Sequence, residues 1–395
     1  MNKRILVWDK HIPLKNTGGP SGYLYNIHSF LKTSDKYKCI DFFTQEANIN
    51  PQEYEFQYSN NIILRIIDIV KLCYSVYFKH TQLSNIEIDI INRYDYIHIH
   101  YIGDYFRYFK KCNNIKPQII LTTHTPEPLF DELFYHKKGF RKLLKTFSFI
   151  RNYFLRKEAN VYNSTDYIMF PVKEAKEVYI NSSRIFKNVF YTNESKTFYV
   201  PTALNTTIKI NTINNYLKNK QIPSDALTVC YIGRHNDIKG YYQLQKIAQH
   251  IWEINPSIYF IIGGKYNPKD IINDERWIEL GWVDTPALLN EIDIFILPNK
   301  ETYFDLILLE VLRQQKPIVL SRTGGNKWFE DKCKAINMYD YFDINKCCKH
   351  LQHYYNQKKN KNLSKYEDYI HNFYLNNLSM DTYLTNYTTT INNLK

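Results

Sequence analysis

The sequence predicts an α/β protein of two domains, each a parallel sheet flanked by helices. Three observations predict it. Short apolar runs alternate with longer stretches of helical periodicity along most of the chain. At 395 residues the chain exceeds one ordinary core and suits two. A polar stretch rich in Asn and Lys, 205–224, divides the alternation into two blocks.

The first block opens with a strand at Ile5–Asp9, followed by a loop ending Gly18-Gly19-Pro20-Ser21-Gly22 and a helix from about Tyr23 to Lys32. Further strands are expected at Cys39–Phe43, Tyr96–His100, Ile119–Thr122, Tyr167–Phe170 and near Phe198–Val200. Ile62–Tyr77 is apolar but interrupted by Arg65, Asp68 and Lys71, so it reads as an amphipathic helix and not a membrane span. The second block supplies strands at Leu227–Ile232, Ile258–Ile262, Ile294–Leu297 and Ile318–Ser321, with helices between. In open sheets of this kind ligands bind beyond the carboxyl ends of the strands.

Composition narrows the function classes. With 44% hydrophobic residues, 35 Tyr and 23 Phe, the chain is globular and not disordered. A net charge of +12 favours polyanions, phosphorylated small molecules included, without choosing among them. The seven cysteines form no CxxC pair and no metal-ligand spacing, a pattern that suits free thiols in a reducing compartment. Met1-Asn2-Lys3-Arg4 leads straight into an apolar strand and not a signal peptide, so the expected location is cytoplasmic.

Most candidate motifs stand at strand ends. Gly233-Arg234 and Lys239-Gly240 follow Leu227–Ile232; an Arg forks two phosphate oxygens and a Lys adds a mobile point charge. The alternative is a pair of solvated surface cations. Pro298 to Glu310 runs from a strand end into a helix whose free N–H groups favour anions. Glu310 lies among Leu306, Leu308, Leu309, Val311 and Leu312, and a carboxylate in so apolar a helix needs a partner, such as a vicinal diol. Thr323-Gly324-Gly325-Asn326 permits close backbone approach to a ligand, or is an ordinary turn. Leu280-Gly281-Trp282-Val283-Asp284 either covers a nucleobase face or places Trp282 in the core. In the first block, Gly18 and Gly19 suit a diphosphate approached by a helix start. His124 ends a strand and either bonds sugar hydroxyls or is structural, while His98 and His100 share one strand face and read as supporting residues.

Taken in order, these motifs resemble the retaining GT-B glycosyltransferases of family 4, most specifically from Tyr231 to Asn326. The resemblance implies two Rossmann-like domains facing across a cleft. The acceptor domain would be 1–205 and the nucleotide-sugar donor domain 206–375, with a C-terminal helix at about 376–395 crossing back to the first. It implies that Arg234 and Lys239 hold the donor phosphates, that Glu310 binds the ribose, and that Glu301 and His124 meet the reacting sugar. Gly18 and Gly19 would face the diphosphate, and Val283, Thr302, Tyr303 and Phe304 would complete the donor pocket. Neither metal nor cofactor is implied, since cations and a helix start stabilise the leaving group. The near-misses to a metal triplet, Glu87-Ile88-Asp89 and Glu291-Ile292-Asp293, read as solvated acidic positions.

Two departures stand out. Eight residues instead of seven separate Glu301 from Glu310, so that Thr302 falls where the family has its first Glu, and Asp305 replaces the Gly of the family's Phe-Gly. An Asp there repels a phosphate unless it caps the helix and turns away.

The expected partners are a nucleotide-sugar donor, with UDP first, and a glycan, glycolipid or glycoprotein acceptor in surface polysaccharide synthesis. His136–Lys157 interleaves cations with aromatic residues, which suits either an anionic membrane surface or a solvated basic face over a buried stripe. On the first reading the protein is peripheral to the inner face of the membrane. No nucleic-acid module accompanies the basic balance, so nucleic acid is not an expected partner. The competing class is a non-catalytic GT-B-like subunit of a transferase complex.

Overall fold

The computed structural model describes residues 2–10, 14–15, 19–43, 62–135, 148–205, 215–264 and 271–395. Gly18, residues 206–214 of the 205–224 stretch and the first part of the basic segment, 136–147, lie outside the described residues. The chain divides into two compact units. One comprises Met1–Phe170, Val178–Val200 and Leu384–Lys395; the other comprises Pro171–Glu177 and Pro201–Tyr383.

The first unit holds a six-stranded sheet: β1 (Ile5–Trp8), β2 (Ile40–Phe42), β3 (Tyr96–Ile99), β4 (Gln118–Leu121), β5 (Tyr167–Phe170) and β6 (Thr197–Tyr199). The order is β2-β1-β3-β4-β5-β6 and every neighbouring pair is parallel. Its helices include α1 (Gly19–Leu31), α2 (Ile62–Tyr77), α3 (Asn85–Ile91) and α4 (Ser148–Ser164). The α3 start is a reciprocal capping box between Ser84 and Glu87, which fixes where that helix begins.

The second unit holds β7 (Leu227–Ile232), β8 (Ile258–Gly263), β9 (Trp277–Gly281), β10 (Ile294–Leu297), β11 (Ile318–Ser321) and β12 (Ile336–Tyr339). The order β12-β11-β10-β7-β8-β9 is again wholly parallel. Helices α5 (Tyr241–Ile254), α6 (Thr285–Asn290), α7 (Leu306–Arg313), α8 (Ile344–Lys359) and α9 (Leu363–Asn377) belong to this unit, and α10 (Met380–Asn392) begins in it. Parallel strands are covered on both faces, so β7, β8, β10 and β11 read as near-continuous buried apolar runs. Around them pack Leu244, Ile247 and Ile251 of α5 and Cys347, Leu351 and Tyr354 of α8.

In each sheet the strand order reverses once, between β1 and β3 and between β7 and β10. Loops leaving adjacent strands at such a point diverge to opposite faces and leave a crevice at the carboxyl edge. That is where the second block's cationic motif and its Pro298–Glu310 segment fall.

In the acidic triplets Asp89 is exposed as expected, but the structure corrects the other three carboxylates. Glu291 accepts the backbone N–H groups of Tyr216 and Leu217, and Asp293 accepts from Thr228 and from the Lys358 ammonium. Glu87 accepts from the Ser84 backbone and pairs with Lys10, its side chain only 13% exposed. These carboxylates fasten loops and are not solvated, because backbone donors at element ends need partners.

Candidate functional site

Three loops of the second unit are tied together at the carboxyl edge of its sheet. Between β7 and α5, Gly240 has φ +71°, and a Cβ placed there would lie 1.6 Å from the Pro298 carbonyl oxygen. Only glycine lets the 233–240 loop approach the end of β10 this closely. Lys300 N–H donates to the Ile238 carbonyl at 2.9 Å, and Ser321 Oγ donates to the Asn299 carbonyl at 2.6 Å. Cβ atoms on Gly324 and Gly325 would strike the carbonyl oxygens of Thr302 and Tyr303, and Gly325 N–H donates to Thr302. The paired glycines thus serve close backbone packing against the 298–305 loop.

Within this frame Arg234 is exposed, and no acidic side chain pairs with it among the described residues. Its backbone is held by the Tyr231 hydroxyl, which donates to the Arg234 carbonyl at 2.9 Å. Lys239 is engaged: its Nζ donates to both carboxylate oxygens of Asp305, at 2.6 and 2.7 Å. Asn299 Nδ2 donates to the same carboxylate at 2.6 Å. Burial pushes the Asp305 carboxyl up, but Lys239 and Asn299 outweigh it and hold the group below the ordinary aspartate value. Asp305 occupies the N-cap position of α7 without capping it by its side chain. The side-chain cap that the sequence allowed is not made, and the carboxylate is held by Lys239 and Asn299 instead.

Glu310 is half-buried on α7, and no hydrogen bond to its carboxylate exists among the described residues. Burial raises its pKa, Arg313 pulls it down and Asp284 pushes it up. Asp284 itself caps α6 by accepting Ala287 N–H at 2.9 Å. Val283 is buried against Gly263, whereas Trp282 beside it is 85% exposed, which excludes the core reading of that tryptophan.

Other expected site residues lie differently. Thr302 is fully buried, Tyr303 and Phe304 are nearly so, and the Phe304 ring stacks on Phe329 at 5.6 Å. These residues pack the loop against Gly324 and Gly325 and offer a ligand little accessible surface. Glu301 is half-buried, its N–H directed at the Ile238 carbonyl at 3.5 Å. Reading the sequence missed Asn299 and a buried cluster behind the cationic loop. There the His235 ring stacks on Tyr241 at 4.0 Å, and Glu279 accepts from Tyr241 and Trp277. Alternation of Trp277 and Glu279 on one strand face was the available signal.

In the first unit, Gly19 begins α1 with φ +75°. His124, His100 and His98 form a ladder at the carboxyl ends of β3 and β4. His100 Nδ1 lies 3.1 Å from His124 Nε2, and the His98 and His100 rings are 4.0 Å apart. His98 reaches the Tyr387 hydroxyl at 2.7 Å and Thr122 at 2.8 Å. Burial lowers the pKa of His98 and of His124 to about 3, so the ladder is neutral at physiological pH. Asp9, at the end of β1, is pushed up to about 7 by burial, with Asp104 nearby adding to the rise.

Comparison with known proteins bears on the fold and on the second block of the sequence. Residues 226–346 match the family described as glycosyl transferases group 1. No curated protein matches the chain by sequence. Among solved structures, sucrose-phosphate synthase from Thermosynechococcus elongatus is similar at a TM-score of 0.61 and 13% identity, covering 98% of each chain. Anabaena HepE, in complex with UDP and glucose, is similar at 0.54 and 12% identity, over 99% of this chain and 100% of that one. TarM is similar at 0.52 and 15% identity over 76% of this chain; the matched part is about half, 55%, of TarM. Residues 226–346 thus match the group 1 glycosyltransferase family within a chain whose fold is of the GT-B type.

Proposed function

We propose that the protein is a retaining glycosyltransferase that moves a sugar from a nucleoside-diphosphate donor, UDP-sugars first, to a glycan, glycolipid or glycoprotein acceptor of a surface polysaccharide. The observation that carries this reading is the pairing of an unneutralised Arg234 with an unbonded, half-buried Glu310 carboxylate at the switch point of the second sheet. A cation suits a phosphate and a carboxylate acceptor suits a ribose diol. UDP is bound in the structures of HepE and of an S. aureus TarM mutant, which lends support to the nucleotide.

In this reading the bond from the anomeric carbon to the diphosphate oxygen breaks while the acceptor oxygen bonds to the same face. The acceptor proton passes to a phosphate oxygen of the leaving group. Arg234 and the start of α7 stabilise the charge that develops on the diphosphate. Glu301 acts on the donor sugar, and His124 of the first unit is a neutral hydrogen-bonding group.

A thermal-shift screen against UDP, GDP and ADP, with their glucose conjugates, tests the site. Stabilisation by one nucleotide that vanishes in Glu310→Ala supports it; unchanged protection removes Glu310. A second reading, a non-catalytic partner subunit, is favoured by one observation: Asp305 already neutralises Lys239. Absence of nucleotide release from any nucleotide sugar, together with absence of binding, would select that reading.

For the acceptor, the first unit exposes Val70, Tyr74 and Phe78 at the end of α2 and Phe149 and Tyr153 on α4, with Lys157 over the Phe78 ring at 3.8 Å. An aromatic and cationic surface of this kind suits an anionic bilayer, and flotation with phosphatidylglycerol vesicles tests it. No helix among the described residues is long and apolar enough to cross a membrane.

A further inference from the structure

The cationic loop of the second unit carries two positive side chains in different electrostatic states. Arg234 is open, whereas Lys239 gives two of its hydrogens to one carboxylate, and both partners of that pair are largely sheltered, at 17% and 15% exposure. A bidentate pair out of bulk water is weakly screened, so little of the lysine's charge remains for a second anion. Asp305 also sits at the head of α7, an eight-residue helix with no side-chain cap. A helix head presents free N–H groups and a positive field, the place where an incoming phosphate gains most. Asn299 adds to the effect: it is fully buried, spends its amide donor on Asp305, and leaves its Oδ1 without a hydrogen bond. Around Lys239, acceptors therefore already match or outnumber donors before any ligand arrives.

We propose that Asp305 is an internal anion that holds Lys239 in place of a donor phosphate, so that diphosphate recognition falls on Arg234 and the second phosphate adds little affinity. This rests on the nucleotide-sugar reading of the site. Asp305 is then a specificity residue: it weakens the hold on diphosphates and leaves the nucleoside portion untouched. Binding a diphosphate through both cations requires the Asp305–Lys239 pair to open.

Calorimetric titration of the full chain with uridine, UMP and UDP tests the proposal. In the unaltered protein UDP should bind within about threefold of UMP; a larger advantage for UDP overturns the idea without any substitution. In Asp305→Asn the advantage of UDP over UMP should rise to about tenfold, with uridine affinity unchanged. Adding Lys239→Met to that variant should return the ratio to its starting value. Weaker or unchanged UDP binding in a folded Asp305→Asn protein, checked by circular dichroism, overturns the proposal but leaves the nucleotide reading standing. If neither UMP, UDP nor GDP binds any form of the protein, the nucleotide reading fails and the proposal falls with it.

Discussion

At the carboxyl edge of the first sheet, the three histidines are answered by hydrogen-bond partners, while Asp9 keeps a buried oxygen without one. His98 is bonded on both ring nitrogens, His100 reaches His124, and burial keeps the ladder uncharged. At the corresponding edge of the second sheet, charge is present and only partly answered: Lys239 and Asp305 cancel, while Arg234 and Glu310 are left over. Similar sheets, each reversing strand order once, thus end in opposite electrostatic states. A group with its bonds complete contributes to stability; a charged group left incomplete costs stability and is available to a ligand. The contrast assigns structural weight to the first edge and binding capacity to the second.

The widest break in this contrast would come from Gly240. Gly240→Ala forces a Cβ into the Pro298 carbonyl at positive φ, and a loss of about 3 kcal/mol is expected in urea unfolding. A loss below about 1 kcal/mol would mean that the loops of the second edge are not locked together.

Next in size, Glu310→Ala should weaken UDP binding by roughly thirtyfold, about 2 kcal/mol, with unfolding stability unchanged or raised. A destabilised variant with intact binding would make Glu310 structural and erase the distinction between the edges.

Acid sharpens the comparison from the other side. The pKa of His98 falls to about 3 in the folded protein, so the unfolded chain takes up its proton first. Stability from this group is complete above the ordinary histidine value of 6.5 and declines as pH falls from there toward about 3. At pH 5 the loss from His98 alone is about 2 kcal/mol. The Asp305 pair, with its carboxyl held low, keeps its contribution down to the ordinary aspartate value of 3.8 and loses it below that. Asp9, its carboxyl pushed up to about 7, acts with the opposite sign over the same window, so the test is a difference: in urea unfolding a His98→Asn variant should lose about 2 kcal/mol less than the unaltered protein between pH 7 and 5. An equal loss in both proteins would contradict the assignment.

The smallest expected effect is Tyr387→Phe, about 1 kcal/mol, since it removes one buried hydrogen bond to His98 while keeping the ring. Loss of UDP binding in this variant would show that the first edge is tied to binding after all.

The interior of both sheets was legible because strands buried on two faces are nearly uniformly apolar: β1, β3, β7, β8, β10 and β11 all announce themselves in this way. The strands that escaped notice, β9 and β12, are the outermost of the second sheet, and Glu279 and Asn337 break their apolar runs. An edge strand is covered on fewer sides and tolerates such residues. Arg234, Lys239 and Glu310 were recognisable as chemistry at strand ends, but spacing carries no information about which charges meet. Lys239 and Asp305 are 66 positions apart and touch only because the Gly240 turn brings their loops together.

The last helix, α10, has a consequence for how the protein is made. The chain passes between the units after Phe170, Glu177, Val200 and Tyr383, and the final twelve or so residues return to the first unit. Tyr387 bonds the His98 of a central strand, and Asn392 accepts the Lys3 backbone N–H beside β1. During synthesis the first unit therefore emerges first yet cannot complete its packing against His98 and Lys3 until residues 384–395 have left the ribosome. The second unit can close before it. Released chains truncated before residue 384 should hold a protease-sensitive first unit beside a resistant second one, an order of maturation opposite to the order of translation.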